Sequence, residues 1–473
     1  MALARRARED ASDETCRGQW FGLCIDQEEI SMIPRNAGSR LLSNRVNRRR
    51  LVGGAALGAA ALGTLRVPLV GAQDGVEVTW SSWGNTGEVA NLQEFTDAWN
   101  ASQSAVVANY IPVPTDGYDD KLLTQLNGGT APDLFYVGDG QVATLVENGV
   151  VADLTELLSS EASLSRPEQF AGDLWGPART ADGRLYGVPV DCNPLVIWYN
   201  RTLLQDAGIT DMPADQYEAG TWNWETFQSM LDAISEAGQT PFVLDDWWAL
   251  RYSWVTNNGG AIYADGQFVA NEDPKSMEAF QWLADNIAAE KITFAGSLPE
   301  GQGGDAMFMS NQLGFVSLGR WGLPLFRQNE NLDCDIVPYP TNTGNKIEPS
   351  GVAVAYWMMG AEIDNPDAAF AFYTHFVSPE GQAGRLDTGG NAVPSIEGVE
   401  DVVTGDDLPE HRQYFLDARD VGYGPLAEEA GTPGLSTELN DLFEALWLDG
   451  GDVQAALDEI ATTANTMIAE NAG

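Results

Sequence analysis

The chain of 473 residues has two histidines, four cysteines and, past its first 72 residues, very little positive charge. His375 and His411 stand far apart in sequence, and Cys16, Cys24, Cys192 and Cys334 form no CxxC pair, so a zinc site has no support and no metal is expected. Cys192 and Cys334 lie in the main body, either bridged or as two buried thiols. Of the 25 Lys+Arg and 69 Asp+Glu, residues 1–72 hold 11 and 7, which leaves 14 basic and 62 acidic residues for the body. A surface of that sign repels phosphate backbones and anionic membranes, so nucleic-acid partners are excluded. No GxSxG, HExxH or P-loop is present to support hydrolase or nucleotide chemistry. The longest apolar run, within 51–65, falls short of the roughly 20 residues that a spanning helix needs.

That run has another use. Arg48-Arg49-Arg50 precedes it and Val70-Gly71-Ala72 follows it, the order of a basic n-region, an apolar h-region and a small-residue cleavage site. Residues 1–72 are therefore expected to be an extension plus a secretory signal. The consecutive arginines resemble a twin-arginine signal, with processing after Ala72. No cysteine follows to carry a lipid anchor there.

From Val76 onward strand-like and helix-like stretches alternate. Val76–Ser81, Val106–Val113 and Asp133–Gly138 read as strands, with helical stretches between and after them. This order predicts a largely parallel α/β sheet whose loops at the strand ends face a ligand. A second α/β series runs from Arg201 to the C-terminus, with Asn223 a helix N-cap and Trp224, Phe227, Leu231 and Ile234 an apolar stripe. Between the two series lies Tyr186–Asn200, YGVPVDCNPLVIWYN. Pro189 and Pro194 deny a helix there. We expect the chain to leave one lobe and enter another at this point, with Asp191 and Asn193 exposed at the crossing and a cleft beside it.

Four stretches, taken in order, carry a family resemblance. They are Pro132-Asp133-Leu134-Phe135 through Asp153-Leu154, Tyr186-Gly187-Val188-Pro189 through Trp224, Asp305-Ala306-Met307 through Gly319-Arg320-Trp321, and Ser350-Gly351-Val352-Ala353 through Gln382. Over 76–470 the chain resembles extracellular solute-binding proteins of the carbohydrate-uptake group, the receptor components of ABC importers. The resemblance implies a two-lobed periplasmic-binding-protein fold with three hinge crossings and a ligand cleft between the lobes. Lobe 1 would be 73–190 and 346–394, and lobe 2 would be 191–345 and 395–473. It implies further an exported monomer, in the periplasm or on the outer face of the membrane, without a cofactor, that hands a sugar to permease subunits.

A neutral sugar offers apolar C–H faces and rings of hydroxyls, so its site needs flat aromatics and side chains that hydrogen-bond in pairs. Among the 15 tryptophans, Trp83, Trp247, Trp248 and Trp321 fall in expected loops and are candidates. Trp224 and Trp99, on helical stripes, are core. The polar candidates are Asp139, Asp191, Asn193 and Arg320, with Asn85, Asp246 and Asn391 behind them, and Gly351 where backbone could approach the ligand. Arg320 has an alternative fate as a structural ion pair. Two rivals stay open: a secreted glycoside-active enzyme working through paired carboxylates, and the same fold binding a polyol, glycerol phosphate or peptide.

Overall fold

A computed structural model describes residues 75–471, apart from residues 116, 246, 300–301 and 388. The expected export signal and the candidate Asp246 lie outside the described residues. No described helix is long and apolar enough to cross a membrane.

The strands are β1 (Val76–Ser82), β2 (Val106–Pro112), β3 (Leu134–Gly138), β4 (Gly187–Pro194), β5 (Val196–Asn200), β6 (Thr240–Leu244), β7 (Tyr263–Ala264), β8 (Gln267–Phe268), β9 (Ile292–Phe294), β10 (Leu313–Leu318), β11 (Cys334–Val337) and β12 (Val352–Met359). They form two five-stranded sheets, ordered β2-β1-β3-β12-β4 and β11-β5-β10-β6-β9, plus the small hairpin β7-β8. Each sheet has a parallel part, β2-β1-β3 in one and β10-β6-β9 in the other. Each is completed by antiparallel strands at the side where the chain comes from or goes to the other lobe. The sheets are thus mixed rather than largely parallel, because β12 and β5, which enter from the other lobe, run opposite to the other strands of their sheets.

Each sheet has its own aromatic core. In the first lobe Trp80 meets Trp357, Phe372 and Phe376, the last two from the helix Pro366–Val377. In the second, Phe227, Phe242, Trp254 and Phe315 interlock beneath the helix Trp224–Glu236. That helix starts as its sequence dictates, Asn223 Oδ1 accepting the Thr226 N–H at 2.9 Å.

The lobes are joined where three segments run side by side. Cys192 and Val393 exchange backbone hydrogen bonds, and the Leu195 N–H donates to Gly351 O at 3.0 Å. Two expectations are corrected here. Asp191–Pro194 is no exposed polar break: β4 continues through Pro194, and all eight of its residues are buried. Pro189 is tolerated because β4 is the edge strand, where a missing N–H costs no ladder bond. Likewise Trp248 does not sit in a loop but opens the helix Trp248–Asn257, which is buried on nearly every side and so shows no amphipathic period.

Candidate functional site

The two lobes meet along a seam that side chains and backbone bond across from both sides. Asn85 caps the helix Thr86–Ser102 of the first lobe, and its Oδ1 accepts the Gly87 and Glu88 N–H groups. Its Nδ2 points the other way and donates to the carbonyl oxygen of Trp321, in the second lobe, at 3.0 Å. Next to it Thr86 Oγ1 bonds Gln328 at 3.1 Å. On the opposite side Trp248 Nε1 of the second lobe donates to Asp139 Oδ2 of the first at 3.0 Å.

Burial governs the acids of the cleft. Asp139 opens the helix Asp139–Glu147 directly after β3, with part of its surface open to solvent. Protein surrounds it nonetheless. Desolvation lifts its carboxyl to about 7, against the Trp248 and Gly140 hydrogen bonds that pull it down. Glu88 is 6% exposed, closes the capping box on the Asn85 N–H at 2.9 Å and accepts Asn391 Nδ2 at 3.2 Å. Desolvation dominates there too and raises its carboxyl to about 8. Among the described residues no ion pair joins either acid to a cation. The sequence signal for Glu88 was the Asn85-x-x-Glu88 spacing of a capping box; only the fold shows that this helix start faces the other lobe.

The remaining polar candidates belong to the hinge. Asp191 is paired with Arg385 at 2.5 Å, both buried, and Asn391 Nδ2 reaches Asp191 Oδ2 at 3.3 Å. Arg385 Nη2 also donates to Val190 O. Asn193 Oδ1 accepts the Arg320 backbone N–H at 2.9 Å. Arg320 is 1% exposed, and its guanidinium is taken up by protein groups. Its Nη1 donates to Leu386 O and Ala392 O, and its Nη2 to Val402 O and Asp406, which also pairs with Arg327. The structural ion pair is the fate it has taken. Gly351 is spoken for as well. A Cβ there would lie 2.6 Å from the Ala249 Cβ, so its close approach is to the helix Trp248–Asn257.

Three tryptophans differ from the rest. Trp83, Trp247 and Trp321 are, like Trp99 and Trp282, only partly buried, but each of the three lies within two residues of an atom that bonds across the lobes. Trp83 stands edge-on to Tyr118 and Tyr136. Trp247 and Trp321 lie 6.5 Å apart between centroids. Trp247 and Trp248 are perpendicular, at 89°, as adjacent residues facing different ways must be. Trp248 is 5% exposed and only its Nε1 edge reaches the cleft. Trp99 and Trp224 are packed against aromatic neighbours, as expected of stripe residues. Tyr423, beside Trp248 at 5.9 Å, was not anticipated.

Among the described residues one group of acids and histidine is close enough to share a metal, namely Asp335, Glu410 and His411. The Arg201 guanidinium is already bonded to both carboxylates, at 2.7 and 2.5 Å, and supplies the positive charge there.

The family model of bacterial extracellular solute-binding proteins matches residues 83–383. A diacetylchitobiose binding protein of Streptomyces coelicolor is 23% identical over 302 residues, 62% of this chain and 68% of that protein. An sn-glycerol-3-phosphate-binding periplasmic protein of Agrobacterium fabrum is 21% identical over 356 residues, 69% of this chain and 76% of that one. Other curated relatives are matched over 67% to as little as 33% of their own length. Among solved structures, an ABC substrate-binding protein of Listeria monocytogenes in complex with cycloalternan superimposes with a TM-score of 0.73 at 20% identity, over 84% of this chain and all of that one. The likeness shows the fold, a two-lobed periplasmic-binding-protein architecture.

Proposed function

Because this chain belongs to the bacterial extracellular solute-binding proteins, we propose that it is the receptor of an ABC importer, closing on a neutral mono- or oligosaccharide and delivering it to a membrane permease. The observation that carries the choice of ligand is the state of the guanidiniums. Arg320 and Arg385, the cations nearest the crossing, are buried and engaged by Asp406, Asp191 and backbone carbonyls. A phosphate would meet instead two acids, Glu88 and Asp139, whose carboxyls desolvation raises. A neutral ring of hydroxyls suits those acids as hydrogen-bond partners, and the partly exposed faces of Trp83, Trp247 and Trp321 suit its C–H faces. The lobes are taken to divide as the resemblance implies, and the receptor acts as a monomer. Its task is binding without turnover.

A panel of neutral sugars, polyols, short peptides and glycerol 3-phosphate, screened by thermal shift, tests this. A ligand at 100 times its dissociation constant adds about 2.7 kcal/mol to the native state, which is readily seen. We expect a neutral sugar to shift the melt and glycerol 3-phosphate to leave it unmoved. The reverse pattern would replace the sugar reading by the phosphate one.

A further inference from the structure

We infer that Gly87 is the position that sets how far the two lobes can close, and through closure how tightly the receptor holds its ligand. The inference rests on the receptor reading above and adds to it a residue that touches no ligand.

Gly87 is the second residue of the helix Thr86–Ser102 and is buried against the second lobe. A Cβ built there would lie 2.3 Å from Pro324 O, 2.4 Å from Pro324 C and 2.8 Å from Leu325 N. All three are backbone atoms, so no side chain can rotate away to make room. Carbon atoms in contact sit about 3.5–4.0 Å apart, so a methyl group at 87 would hold the helix and the Pro324 peptide apart by more than about 1 Å. The Asn85–Trp321 and Thr86–Gln328 hydrogen bonds, which flank this contact and cross the same interface, would then open.

The backbone does not ask for glycine at this position: its φ lies outside the left-handed region, and alanine is the better helix former. The three atoms that an added Cβ would meet first all belong to the second lobe. Leu323, Leu325 and Phe326, around Pro324, are buried in the second lobe's core, which keeps that backbone from yielding. The contact is thus rigid on one side and a helix start on the other.

The test compares wild type, Gly87→Ala and a control, Gly172→Ala, whose added Cβ would meet nothing within 4 Å. For each, the melting temperature, the small-angle scattering radius and titrations with maltotriose, cellobiose and glycerol are measured. We expect Gly87→Ala to fold and to melt near wild type, to keep a larger radius under every condition, and to bind the sugar that wild type binds at least tenfold more weakly. Gly172→Ala should match wild type throughout. Equal radius and equal affinity for Gly87→Ala would overturn the inference while leaving the receptor intact. So would a wild type whose radius never reaches the closed value. A wild type that closes but binds no member of the whole sugar panel would instead sink the receptor reading, with the radii still judging Gly87.

Discussion

Trp248 Nε1 donates to Asp139 Oδ2 at 3.0 Å across the line where the lobes meet. A side chain otherwise buried in the second lobe's core therefore ends on an acid of the first. Trp248→Phe keeps most of the buried ring and removes the donor. The expected result is about a tenfold loss in affinity for the sugar that binds, the worth of one hydrogen bond to a charged or half-charged acceptor, with a smaller change in the unliganded melt. Calorimetric titration of both proteins measures it.

Trp321 and Trp248 should separate on truncation. Trp321 is partly exposed, so Trp321→Ala is expected to abolish the ligand-induced thermal shift and leave the unliganded melt nearly unchanged. Trp248 is 5% exposed, and Trp248→Ala should cost about 3–5 kcal/mol through the cavity it leaves. Thermal melts with and without sugar distinguish the two. A large loss of unliganded stability for Trp321→Ala would place that ring in the core.

The cleft acids make stability fall as pH rises. Desolvation raises Glu88 to about 8 and Asp139 to about 7, above the ordinary carboxyl range near 4. Between these limits the native chain holds protons that the unfolded chain has lost, so unfolding becomes easier with increasing pH. The effect saturates above about pH 8 and is absent below about pH 4. Glu88→Gln keeps a capping-box acceptor and removes the titration, so its stability should vary less than wild type between pH 5 and pH 8. Urea midpoints across that range measure the difference, which also removes the general repulsion of an acidic surface common to both proteins.

Arg320 holds the hinge rather than the ligand. Arg320→Ala removes one of the two guanidiniums on the buried Asp406, which keeps Arg327, and takes a donor from the carbonyls of Leu386 and Ala392, and should cost about 1–3 kcal/mol. If it folds at low temperature, its sugar affinity should stay within a few-fold of wild type. A normal melt with lost binding would return Arg320 to the site.

How much of this was legible in the sequence depends on what each residue's role draws on. Local signals were readable: Asn223 at a helix start, the stripe of Trp224 and Phe227, the strands β1 to β3, and the two-lobed fold through its spaced motifs. The break expected at Asp191–Pro194 failed because two polar residues and a proline look exposed until Arg385, some 190 positions away, neutralises one of them. Trp248 looked like a loop residue because a helix buried all round has no periodicity to read. Gly351 and Arg320 were placed beside a ligand on chemistry alone, and only the packing partners Ala249 and Asp406 reassign them. Glu88 is raised by burial beside Asn391 and Gly87 matters through the other lobe, and no local pattern reports either.

On the proposed reading this chain takes up a neutral carbohydrate and returns it unaltered. Isothermal titration with the sugar selected by thermal shift, followed by denaturation and mass analysis of what is released, decides the matter. One site per chain and a sugar recovered with its mass unchanged are expected. Cleaved sugar in the released fraction, or heat of binding from glycerol 3-phosphate and from no neutral sugar, would contradict that reading.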